Sequence, residues 1–97
     1  MRHFYRTHLV PAEVLAAADA YFSGIGLAQV ATSARGRTYA GALGQMRLVV
    51  KPEGGHYTFV DVDTDQMGES RLDKNVKRFF VQTHRIADPN HKLEAAY

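Results

Sequence analysis

The chain has 97 residues, of which 45% are hydrophobic and 23% charged, and its formal net charge is +2. This length and composition fit one globular domain and exclude a disordered chain, because two domains would each lack a sufficient core. The absence of cysteine excludes disulfides, thiolate metal sites and a cysteine nucleophile. No apolar run is long enough to span a bilayer, and the first ten residues lack the apolar stretch of a signal peptide, so we expect a cytoplasmic protein.

The beginning of the chain predicts a strand followed by a helix. Residues 4–10 alternate imperfectly and predict the strand. Pro11 suits a first helical turn, where its missing N–H group is not needed. A buried helical stripe is then formed by Leu15, Ala18 and Phe22. Gly24 is a candidate C-terminal cap for this helix.

The middle of the chain predicts strands, at residues 27–33, 37–43, 44–50 and 56–64. Glycines separate the first three strands, and Pro52 with Gly54 and Gly55 presets the turn before the last one. The turn near Gly36 is open to a second interpretation, in which residues 27–41 form one long bent strand.

The segment that begins at Ser70 predicts a second helix. Ser70 is a good N-cap, and Asp73 three residues later approximates a capping box. The apolar stripe of this helix consists of Leu72, Val76, Phe79, Phe80 and Thr83. Pro89 ends the pattern, so we predict one α+β domain over residues 1–88 and a C-terminal tail over residues 89–97.

The predicted order of elements is therefore β-α-β-β-β-β-α, an antiparallel sheet of about five strands with two helices on one face. Over positions 4 to 86, this order resembles one half of a TATA-box-binding-protein-like fold. It also resembles a shortened helix-grip domain of the lipid-binding START type. The first resemblance implies an open sheet face, and a saddle that a second copy or another protein would complete.

Strand alternation predicts the two faces of the sheet. The set expected under the helices is Met46, Leu48, Val50, Thr58, Val60 and Val62. The set expected on the open face is Arg37, Tyr39, Arg47, Lys51, Tyr57 and Phe59, with Asp61 and Asp63 at one end. The opposite register also remains open, although burying two aspartates would cost several kcal/mol unless each is paired. An exposed aromatic and basic patch is typical of an interaction surface, but the same aromatics also suit a curled sheet in which they cover one another.

The second helix has a basic outer face, formed by Arg71, Lys74, Lys77, Arg78 and Arg85. Its field should be strongest near Lys77, Arg78 and Arg85, because acidic residues lie close to the start of the helix. This face suits phosphates, acidic lipid heads or an acidic protein, and it equally suits a solvated helix surface. Peripheral membrane association therefore stays open.

The sequence offers no set of residues with a spacing typical of catalysis or metal binding. The histidines lack helical metal-ligand spacing: His3, His8, His56, His84 and His91. The series Asp61, Asp63 and Asp65 is similar to a calcium loop but lacks its glycine and its final glutamate. Ser70 has no nucleophile elbow around it. We predict no enzyme activity, no metal and no cofactor.

We therefore predict a non-catalytic interaction module, a small accessory subunit or adaptor. It would dock on a larger protein complex, or form a homodimer, through its open sheet face or an edge. The alternative is a nucleic-acid-binding module in which the aromatics Tyr39, Tyr57 and Phe59 stack on bases and the cations Arg37, Arg47 and Lys51 hold phosphates. A third hypothesis is a small-ligand carrier, with a pocket lined by Phe22, Phe79 and Phe80, which otherwise pack in the core.

Overall fold

The computed structural model describes residues 1–87 and contains the predicted elements in the predicted order. The strands are β1 (Arg2–Thr7), β2 (Ala28–Thr32), β3 (Gly36–Gly41), β4 (Gly44–Glu53) and β5 (Tyr57–Thr64). The helices are α1 (Pro11–Gly24) and α2 (Arg71–Ala87). The α+β class and the element order are thus confirmed, whereas the predicted tail, residues 89–97, lies outside the described residues.

One antiparallel sheet holds all five strands, in the order β1-β5-β4-β3-β2. Strands β2 to β5 form a meander, and β1 joins the far side of β5, with Arg2 opposite Asp63 and Thr7 opposite Thr58. The two edge strands of the sheet are therefore β1 and β2. Neither helix within residues 1–87 has the length and apolar character needed to cross a membrane.

Both helices cover the same face of the sheet and enclose one core. The predicted buried residues of β4, β5 and α2 are all buried, which confirms the first of the two registers for β5. The ring centroid of Phe22 in α1 lies 5.1 Å from that of Phe79 in α2 and 5.2 Å from that of Tyr39 in β3. These contacts join both helices to the sheet and make Phe22 and Phe79 core residues.

Several predicted boundaries are wrong. Strand β1 covers residues 2–7 instead of 4–10, and β4 continues through Pro52 to Glu53. Residues 27–41 form two paired strands, so the long bent strand is also wrong. Helix α1 stops at the predicted place, but the residue with positive φ is Gly26 (φ 92°), not Gly24. There the N–H of Gly26 donates to the Ser23 carbonyl at 3.1 Å and that of Leu27 donates to the Phe22 carbonyl at 3.0 Å, which closes the helix end.

The turn between β4 and β5 places two consecutive residues in the left-handed region, Gly55 (φ 76°) and His56 (φ 65°). A side chain in this region is strained, so we expect His56→Gly to raise the free energy of unfolding by about 0.5 kcal/mol. The gain from removing this strain is partly offset because glycine increases the conformational entropy of the unfolded chain. Urea unfolding followed by circular dichroism measures it. Gly55→Ala is the matched control and should lower stability, and a loss of stability in His56→Gly would contradict the expectation.

Candidate interaction surface

The side of the sheet turned away from the helices carries its side chains in rows that run across the strands, and we call this surface the open face. The first row, from β1 to β3, is Arg2, Asp63, Arg47 and Thr38. The second row is Phe4, Asp61, Val49 and Gly36. The third row is Arg6, Phe59 and Lys51. These rows alternate with the buried set along each strand, as the two-residue period of a strand requires.

The β1 side of the open face is aromatic. Phe4 is 63% exposed, and its ring centroid lies 6.0 Å from that of Phe59. The Arg6 guanidinium carbon lies 5.0 Å from the centroid of the Phe59 ring, in cation–π geometry. Tyr57 is 40% exposed and packs against His8, with ring centroids 4.4 Å apart. Contiguous exposed rings of this kind are unusual on a surface that faces only water.

The charges of the open face fall into paired and unpaired groups. Arg2 donates through Nε and Nη2 to the two carboxylate oxygens of Asp61, both at 2.9 Å, and Arg6 Nε donates to Glu53 Oε1 at 2.8 Å. The Arg47 and Lys51 side chains, in contrast, make neither a hydrogen bond nor an ion pair with any residue between positions 1 and 87. Both cations are exposed, so they are available to a ligand or a partner.

A hollow of about 400 Å³ opens over the β3 side of the open face. Its lining includes Gly36, Thr38, Arg47 and Val49 of β3 and β4, together with residues of β2 and the β2–β3 turn: Ala31, Thr32, Ser33 and Arg35. A Cβ atom at Gly36 would come within 3.0 Å of Ser33 Oγ, so a side chain there would require Ser33, which also lines the hollow, to shift. The β1 side of the open face has a hollow of similar volume, about 400 Å³, lined by the exposed ring of Phe4 with Arg2, Arg6 and Phe59.

Two predicted members of this surface, Arg37 and Tyr39, lie on the opposite face of the sheet, so that prediction was wrong. In the β3–β4 pair, Tyr39 stands opposite Met46 and Arg37 opposite Leu48, which places both under α1. Tyr39 is fully buried, and its hydroxyl donates to Asp19 Oδ1 at 2.6 Å. Arg37 Nε donates to the same carboxylate at 3.1 Å. The two residues fasten α1 to the sheet.

The environment of Tyr39 keeps its hydroxyl protonated. Burial raises the pKa of Tyr39 far above its ordinary value, and the hydrogen bond to the Asp19 carboxylate raises it further. The phenol therefore remains a hydrogen-bond donor over the whole range in which the protein is handled. Its function is structural, and it offers no stacking platform to a nucleic acid.

The other predicted members are divided between two sides of the molecule. Arg47, Lys51, Tyr57 and Phe59 share the open face, as predicted. Lys77, Arg78 and Arg85 lie on the outer face of α2, behind the sheet, where Lys77 Nζ lies 3.8 Å from Glu69 Oε1. The structure does not bring these two groups together. It adds Arg2, Phe4 and Arg6 to the open face, which the sequence did not predict because the first strand was assigned neither a partner strand nor a face.

A buried polar network holds the start of α2 against β1 and β5. The Asp73 carboxylate lies 2.7 Å from His3 Nε2 and accepts hydrogen bonds from Thr64 Oγ1 at 2.8 Å and Ser70 Oγ at 2.6 Å. Burial alone would raise the pKa of Asp73, but the hydrogen bonds from Ser70, His3 and Thr64 outweigh burial and hold the pKa below its ordinary value. The Ser70 hydroxyl donates to the Asp73 carboxylate and accepts a hydrogen bond from the Asp73 backbone N–H, the geometry of a helix N-cap.

Two of the three acidic side chains considered as calcium ligands, Asp61 and Asp65, have protein partners. Asp61 is engaged by Arg2, and Asp65 accepts hydrogen bonds from the Gln45 backbone N–H at 2.9 Å and from Gln66 Nε2 at 2.8 Å. Within the described part of the chain, no three His, Asp or Glu side chains are grouped as a metal ion would need. The chain matches no model of a protein family and no curated protein.

Proposed function

We propose that the protein is a non-catalytic interaction module, an accessory subunit or adaptor that binds a protein partner, a larger complex or a second copy of itself, through the open face of its sheet. The observation that carries this proposal is the contrast between the two faces. Two helices close one face, while the other exposes Phe4 and Tyr57 beside the unpaired cations Arg47 and Lys51.

The energetics favour a covered open face. Burying a phenylalanine side chain completely is worth about 1.5–3 kcal/mol, and Phe4 is still 63% exposed. Covering this ring alone would therefore contribute on the order of 1–2 kcal/mol to a complex. The mixture of an aromatic strip, two free cations and acidic side chains is typical of protein interfaces, where aromatics and arginine supply most of the binding energy.

Binding of a single-stranded nucleic acid is the second candidate, and one observation favours it. The exposed rings of Phe4 and Tyr57 and the half-buried ring of Phe59 lie on the open face with Arg47 and Lys51, as stacking on bases with contact to phosphates requires. Against it, Asp61 and Glu53 neutralise Arg2 and Arg6, and the carboxylate of Asp63 also faces outwards. The loss of Arg37 and Tyr39 from this face weakens the nucleic-acid hypothesis further.

An affinity pull-down from the native cells, with and without nuclease and read by mass spectrometry, tests the proposal. The bait variant is Arg47→Glu with Lys51→Glu, which reverses the two free charges of the open face. The matched control is Lys74→Glu with Arg78→Glu, which makes the same change on the outer face of α2.

We expect a stoichiometric protein partner that survives nuclease, is lost from the open-face variant and is retained by the α2 variant. A partner retained by the open-face variant and lost from the α2 variant would contradict the proposal. Nucleic acid in the untreated eluate of the wild type, with no protein partner after nuclease, would replace it with the second candidate. The affinity for nucleic acid would also fall steeply as the salt concentration rises.

A further inference from the structure

We infer that the partner on the open face is a second copy of this chain, related to the first by a twofold axis that runs parallel to the strands between β4 and β5. This inference rests on the proposed function, because it names the occupant of the same surface. It follows from the positions of complementary features within the rows of the open face.

The second row has an exposed ring at one end and a hollow at the other. In the order Phe4, Asp61, Val49 and Gly36, the first and last residues lie on the two strands that flank β5 and β4. Strands in a sheet are about 4.8 Å apart, so Phe4 and Gly36 are each about 7 Å from the midline, on opposite sides. A twofold axis along that midline places the Phe4 ring of each copy over the Gly36 hollow of the other. The contact forms twice, as a closed dimer requires.

The same axis matches the charges. In the first row, Asp63 and Arg47 are equidistant from the midline, so Asp63 of each copy faces Arg47 of the other. In the third row, Phe59 faces Lys51 of the second copy, an arrangement that suits a cation–π contact. No like charges face one another in these three rows. Arg47 and Lys51, the two cations of these three rows that have no partner within residues 1–87, both acquire one.

The alternative twofold axis, perpendicular to the strands along the second row, gives the opposite result. It would place the first row over the third, so that Arg2 would face Arg6 and Arg47 would face Lys51 of the second copy. Arg2 and Arg6 are each paired with a carboxylate, but the unpaired cations Arg47 and Lys51 would repel one another on each side of the axis, which opposes this arrangement. The charge pattern therefore selects the axis parallel to the strands.

The available area is sufficient for a specific dimer. Four strands at about 4.8 Å spacing and eight residues at about 3.3 Å rise cover roughly 500 Å² on each copy, or roughly 1,000 Å² in total. That total reaches the lower limit for a specific interface. Ala31 and Thr32 of β2 also line the hollow, so the end of this edge strand belongs to the contact.

Sedimentation velocity of two charge variants and of their mixture tests the inference. We expect the wild type to dimerise, while Asp63→Arg and Arg47→Asp each weaken self-association about 100-fold or more, because like charges then face one another. An equimolar mixture of the two variants should recover dimers, since each altered charge meets its opposite in the heterodimer. Mixing the two variants cannot restore a contact within one chain. Recovery of dimers would therefore show that Asp63 of one copy contacts Arg47 of the other.

Circular dichroism melts of both single variants establish that they are folded, and Arg71→Asp on α2 serves as a matched charge reversal that should still dimerise. A monomeric wild type, or a mixture that sediments as monomers, would overturn the inference. The proposed function would then still stand if the pull-down partner is lost from the open-face variant, so the two failures are distinguishable. Loss of the dimer in Arg71→Asp alone would place the interface on α2 and also overturn the inference.

Discussion

Phe79→Ala is expected to lower the free energy of unfolding by about 3–5 kcal/mol, the range for removing a large aromatic side chain from a core. Phe79 is completely buried, and its ring centroid lies 5.1 Å from that of Phe22 and 5.7 Å from that of Tyr21. It is therefore the main aromatic link between α2 and α1. Its removal leaves a cavity between two helices that the sheet holds in place, so the surroundings have little freedom to collapse. Urea unfolding followed by circular dichroism measures the loss.

The matched control for this prediction lies on the same helix. Ile86 is 47% exposed, so Ile86→Ala should cost less than about 1 kcal/mol. Similar losses in the two variants would show that α2 is not fastened to the core through its aromatic stripe. Because both residues are distant from the open face, neither variant should affect partner binding as long as it remains folded.

Asp73→Ala is expected to lower the free energy of unfolding by about 3–5 kcal/mol, because it removes the carboxylate at the centre of a buried polar network. The Asp73 side chain accepts hydrogen bonds from Thr64 and Ser70 and contacts His3, and it is 1% exposed. Alanine would leave these groups buried without their partner and would remove part of the α2 cap. Lys74→Ala, an exposed change in the same helical turn, should have little effect and serves as the control.

The pH dependence of Asp73→Asn gives an independent check on the same network. The pKa of Asp73 is lowered in the folded protein, so its carboxylate stabilises the fold fully at pH values above the ordinary aspartate pKa. This contribution is lost as the pH falls through the lowered pKa of the folded state. The stability difference between the wild type and Asp73→Asn should therefore shrink as the solution is acidified from neutral pH. A difference that stays constant or widens in acid would contradict this account of the carboxylate.

The parts of the fold that depend on local signals were predictable. Ser70 caps α2 as expected, since the Asp73 backbone N–H donates to Ser70 Oγ at 3.0 Å. The apolar stripe of α2 and the alternation of β4 and β5 are short-range patterns, and burial follows them residue by residue. The element order was confirmed as well. The resemblance to half of a TATA-box-binding-protein-like fold stays a prediction.

The errors at Arg37 and Tyr39 arose where pairing across a turn determines which way a side chain points. Gly41 pairs with Gly44 around a two-residue turn, and this register sets Tyr39 opposite the buried Met46. A shift of one residue in register reverses the face of every side chain in a strand. The two-residue length of that turn can be read from the sequence and sets the register of β3, but the prediction did not use it.

The open face itself depends on pairing that local patterns do not encode. Phe4 joins it only because β1 pairs with β5, more than fifty residues later in the chain. Sequence patterns therefore predict the β4 and β5 half of the surface but not Phe4, its most exposed ring. The hollow at Gly36 is similarly invisible until β3 is aligned with β4, because a glycine in a strand has several structural explanations.

Hydroxyl-radical footprinting, with oxidation read residue by residue by mass spectrometry, tests the central claim that the open face is the binding surface. The protein is compared when dilute and alone, and when held in the complex isolated from its native cells. We expect oxidation of Phe4 and Tyr57 to fall in the complex, while Met67, which is 92% exposed, remains as reactive as before. Unchanged oxidation of Phe4 and Tyr57, with new protection along the outer face of α2, would contradict the account.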